Sequence, residues 1–136
     1  MSFQWLQARI AEERERRDRE ARILARLPGA VAELGDNLAA CVEGYTAAFP
    51  AESVSVKRED FHLSIEAGGK RVEVLGDSQL PGFQIQRDGS NLAVQVGLLP
   101  GDRLFYLDVA AGQYLSIEEL TRRVLDRVLF PKLKEE

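Results

Sequence analysis

Cysteine, histidine, tryptophan and methionine each occur once in this 136-residue chain. One cysteine, Cys41, excludes an internal disulfide. One cysteine and one histidine together exclude a structural zinc site of four Cys or His ligands within a single chain. The acidic residues are scattered and follow no ligand-loop spacing, so the chain is expected to need neither a metal nor another cofactor.

Long apolar runs are also missing. Nothing approaches the roughly 20 apolar residues of a membrane-spanning helix. The opening, Met1 to Ile10, turns densely charged at Glu12 without an apolar signal region. The expected location is therefore the cytoplasm, with no membrane association. An excess of positive charge is absent too: the formal net charge is −4. Nucleic-acid affinity comes largely from neutralised phosphates, so nucleic acid is not an expected partner.

The chain does have 45% hydrophobic residues and enough length to bury one self-sufficient core. Five prolines punctuate it, at positions 28, 50, 81, 100 and 131. Before Pro28 the pattern is helical. Ser2 is a candidate cap, and Phe3, Leu6 and Ile10 follow at helical spacing. Residues 12 to 20 then carry no apolar side chain at all. Acid-first pairs at i,i+4 (Glu12–Arg16, Glu13–Arg17, Glu15–Arg19, Asp18–Arg22) support a helix wetted on every side. Pro28-Gly29 is expected to break or sharply kink the helix. A second helix follows, with Val31, Leu34, Leu38, Cys41 or Val42, and Tyr45 on one face, which would bury Cys41.

From Ser53 the period changes to 2. Val54 and Val56, then Phe61, Leu63 and Ile65, then Val72 and Val74, alternate with polar residues. Phe83 and Ile85, Leu92 to Leu98, and Phe105, Leu107 and Val109 continue the pattern. Gly68-Gly69, Asp88-Gly89 and Pro100-Gly101 are turn signals. Ser116-Ile-Glu-Glu119 is a capping box that opens a last helix, stopped by Pro131.

These elements predict a two-layer α+β fold. An antiparallel meander of five or six strands has one face covered by helices, with a long charged N-terminal helix and a C-terminal helix. One domain is expected over 1–136: a projecting arm at 1–27, a core helix at 29–49, the sheet at 53–109 and the last helix at 116–130.

Catalytic patterns are weak. His62 shares its strand face with Asp60, Ser64 and Glu66, an arrangement that more often means a solvated surface than base-assisted nucleophilic chemistry. Gly68-Gly69-Lys70-Arg71 resembles the tail of a phosphate loop, but a strand follows it and Arg71 stands where a hydroxyl is needed. From Glu12 to Arg22 five acids balance five arginines, the pattern of a solvated helix.

The informative anomaly is the N-terminal tip. Phe3, Trp5, Leu6 and Ile10 are separated by the charged shaft from any core helix. The expectation is a non-catalytic interaction or adaptor domain that forms homo-oligomers through these four residues, with another protein as the alternative partner. A second surface is expected on the outer sheet face at Leu75, Leu104 and Tyr106. Two alternatives stand beside this reading. One is a small apolar ligand held between helix and sheet by Phe61, Phe83, Phe105 and Tyr45. The other is an enzyme with an unconventional carboxylate site.

Overall fold

The computed structural model describes residues 3–77, 79, 81–87, 89–101 and 103–133. The first element, α1, is one uninterrupted helix, Gln4–Ala48. The expected break at Pro28 does not occur. Pro28 removes the hydrogen bond to the Leu24 carbonyl and costs about 3 kcal/mol in a helix interior. Leu27, Ala30, Val31, Leu34 and Leu38, all buried, lie on either side of it. Fully burying each of the larger ones is worth about 1.5–3 kcal/mol, which outweighs one lost bond. The N-cap position belongs to Phe3, with no side-chain cap; the expected cap, Ser2, lies outside the described residues.

Seven strands follow in a pure meander, ordered β1 to β7, every neighbouring pair antiparallel. They are β1 Val54–Glu59, β2 His62–Ala67, β3 Lys70–Asp77, β4 Gly82–Arg87, β5 Ser90–Leu99, β6 Arg103–Asp108 and β7 Gln113–Leu115. The seventh exceeds the sequence expectation. It is only three residues long, too short for an alternation to show. The Gly68-Gly69 turn has both residues at positive φ, and Gly101 is at φ 83° after Pro100, as those turn signals imply.

The inner face carries Leu63, Ile65, Val72, Val74, Phe83, Ile85, Val94 and Val96, all almost fully buried. Helix α2, Ile117–Leu129, opens with the expected capping box between Ser116 and Glu119. It buries Leu120, Val124, Leu125 and Val128 beside α1 against the same core.

Two strand assignments change. Phe61 is not a strand residue. It sits in the β1–β2 turn at φ 60°, exposed. In β6 the inward set is Leu104, Tyr106 and Asp108, not Phe105, Leu107 and Val109. Tyr106 pairs with Val96 and its ring stacks on Phe83 at 6.1 Å. Both parities of β6 are apolar, so its alternation does not reveal the face; the register on β5 decides it.

Candidate functional site

The N-terminal part of α1 stands apart from the core. Its first buried residue is Ile23. Gln4 to Arg22 therefore extend roughly 28 Å at 1.5 Å per residue without burying a side chain. Ion pairs hold this arm along its own length. Arg9 meets Glu12 at 3.0 Å, Glu15 meets Arg19 at 3.7 Å, and Arg16 lies between Glu13 and Glu20. The hydrogen bond from Arg16 holds the Glu13 carboxyl below its ordinary value, helped by Arg17. Glu13–Arg17 and Glu15–Arg19 form as the spacing implies, while Arg16 turns to Glu13 and Glu20 instead of Glu12.

At the tip, Trp5 is 68% exposed, Phe3 55% and Leu6 39%. Ile10 is half-buried in a dimple lined by Glu13, Arg14 and Arg17 of the same helix. The four expected residues thus share one solvent-surrounded stretch. The second expected surface does not form. Tyr106 is only 5% exposed and Leu104 packs on the core, while Leu75 pairs across to His62 on the outer face. That outer face instead carries Phe105 against Tyr114, ring centroids 5.4 Å apart.

The expected ligand pocket is not assembled either. Phe83 is wholly inside the core, and Phe61 and Phe105 lie away from Tyr45. The larger concavity is a groove of ≈ 1010 Å³ between α1 and α2, flanked by Tyr45, Phe49, Leu125, Leu129 and Phe130. Cys41 opens into it and is exposed, not buried; Val42 takes the core position. The helical stripe offered both residues, and packing chose the larger, fully apolar one.

His62 lies 3.5 Å from Glu73 and 3.9 Å from Glu59. No hydrogen bond joins it to Ser64, which is itself buried, so no nucleophile–base pair is assembled there. Among the described residues no group of three or more His, Cys, Asp or Glu side chains can hold a metal ion. No helix of the described residues is long and apolar enough to cross a membrane.

Comparison with protein-family models, with curated proteins and with solved structures finds no match.

A smaller hollow of ≈ 410 Å³ beside the end of α2 gathers Lys70, Arg71, Arg87 and Arg127. Arg71 is already committed to Glu73 at 2.8 Å, and Arg127 is engaged as well. Sequence reasoning missed this cluster because its members come from β3, β4 and α2 and share no spacing. It missed the interhelical groove for a related reason: its walls come from α1 and α2, which are far apart in the sequence and meet only in the packed fold.

Proposed function

We propose that this chain is a non-catalytic protein-interaction domain that self-associates through the N-terminal half of α1. The observation that supports it is the arm itself. Roughly 28 Å of helix adds no side chain to the buried core, yet carries Phe3, Trp5 and Leu6 at its end. Fully burying such a side chain is worth about 1.5–3 kcal/mol, so the tip gains by finding an apolar surface. The ion pairs along the shaft supply local support for the helix without packing beneath it. A two-fold dimer is the commonest way for identical chains to bury such a surface.

The test is solution mass by light scattering at tens of micromolar. The intact chain is expected above its monomer mass of 15.2 kDa. Trp5→Ala with Leu6→Ala should return it toward monomer while the sheet stays folded by circular dichroism. A monomeric intact chain would refute the reading. An unaffected oligomer would move the interface elsewhere, with the outer-face aromatics Phe105 and Tyr114 the first place to look.

A further inference from the structure

Phe3, Leu6 and Ile10 of the arm lie on one heptad spacing with Leu24 at the edge of the body. Alternating steps of three and four lead from Phe3 through Leu6, Ile10, Glu13, Arg17 and Glu20 to Leu24. That is heptad spacing, which aligns these seven positions along one side of the helix, apolar at its two ends and charged in the middle. Its outer end is exposed, and its inner end, Leu24, is only partly buried against the core. The three charged positions in the middle decide what fits this seam.

We infer that the occupant is the same arm of a second copy, running antiparallel, with the two-fold axis near residue 15. This rests on the self-association proposed above and adds its orientation and register. Antiparallel packing places Glu13 of each copy opposite Arg17 of the other, giving two complementary contacts across the axis. Leu6 then lies against Leu24 of the second copy, and Ile10 against the aliphatic stem of Glu20. Phe3 reaches the root of the opposite arm, where the core residues begin at Ile23 and Leu27. Arm length and seam length therefore agree.

A parallel pair fails on charge. It would stack Glu13 on Glu13, Arg17 on Arg17 and Glu20 on Glu20 in three successive layers of the seam. Like charges facing each other at close range are unfavourable, more so as water is excluded. An unrelated helix could meet the apolar ends, but the Glu13 and Arg17 layers at the centre are complemented by this sequence reversed.

Single cysteines test the geometry in a full-length Cys41→Ala background, since Cys41 is exposed and would otherwise react. Ile10 and Glu20 lie about 15 Å apart along one helix, too far to bridge within a chain. Under mild oxidation with oxidised glutathione, Ile10→Cys/Glu20→Cys should give a covalent dimer, while Ile10→Cys alone and Glu20→Cys alone should not. Crosslinking by Ile10→Cys alone would mean a parallel pair and would overturn the inference while leaving self-association intact. A dimer by light scattering with no crosslink in any variant would overturn the seam. A monomer would overturn both this inference and the reading it rests on.

Charge reversal supplies a second readout on exposed side chains. Glu13→Arg should raise the dimer dissociation constant about ten-fold or more. Adding Arg17→Glu should restore it, because the antiparallel contact is then rebuilt with signs exchanged. In a parallel pair the double variant still faces like with like, so failure of restoration counts against the antiparallel seam.

Discussion

At Gly97 the missing side chain makes room for a ring. A Cβ placed there would lie 2.1 Å from Cζ of Phe105, its neighbour across β5 and β6. Gly97→Ala must therefore push Phe105 off the outer face and away from Tyr114. The expected loss is about 1–3 kcal/mol, read from urea unfolding. Combined with Phe105→Ala it should cost clearly less than the two single losses together, because the clash disappears with the ring. A neutral Gly97→Ala would show that the ring is not held there. Tyr106, one residue on and facing the core, makes a pH-dependent prediction. Burial, with the nearby negative charge of Glu33, pushes its hydroxyl from 10.0 up to about 12, against the opposing effect of Arg26. The folded state thus resists ionisation that the unfolded chain accepts. The stability is fully present below pH 10 and is lost as the pH rises from about 10 toward 12. Tyr106→Phe should flatten that decline in unfolding measurements taken across this range. The two faces of β6 were not legible beforehand, since Leu104, Phe105, Tyr106 and Leu107 are apolar on both parities.

Among the elements, the hairpins were readable and the helices less so. Gly68-Gly69 and Pro100-Gly101 mark their turns because only a few residues take the backbone angles required. The Asp60-Phe61 turn carries no such mark. Phe61 adopts φ 60°, and its ring takes the space above Gly76, where an added Cβ would lie 2.7 Å from Cδ1. Local pattern treated Phe61 as strand because that ring contact is made only in the folded sheet. Pro28 misled in the opposite direction. A local rule said break, but the buried residues on both sides hold the helix together across it. Pro28 itself is exposed, so replacing it disturbs no packing. Pro28→Ala should raise unfolding stability by about 1–3 kcal/mol, the restored bond to the Leu24 carbonyl outweighing the greater freedom of the unfolded chain. A destabilised Pro28→Ala protein would show that the proline supplies a bend that the packing of α1 requires.

For the whole molecule, the helices and the sheet form one buried cluster from Ile23 to Leu129, and the arm contributes nothing to it. The tip residues Phe3, Trp5, Leu6 and Ile10 could be picked out by their isolation from other apolar residues. The seam through Leu24 could not, because its middle positions, Glu13, Arg17 and Glu20, are charged and carry no apolar period. This separation between core and arm has a thermodynamic consequence. An association that requires the folded arm stabilises the native state by mass action, so the unfolding midpoint should rise with protein concentration. Leu6→Glu, which places a charge in the seam opposite Leu24 of the second copy, should abolish that dependence. It should leave intact the unfolding transition of the dilute wild-type chain, since Leu6 touches none of the core. Differential scanning calorimetry from about ten to several hundred micromolar reads both effects in one series. A midpoint independent of concentration in the wild-type chain, or a Leu6→Glu variant whose dilute midpoint falls by many degrees, would tie the arm to its own subunit instead of a second one.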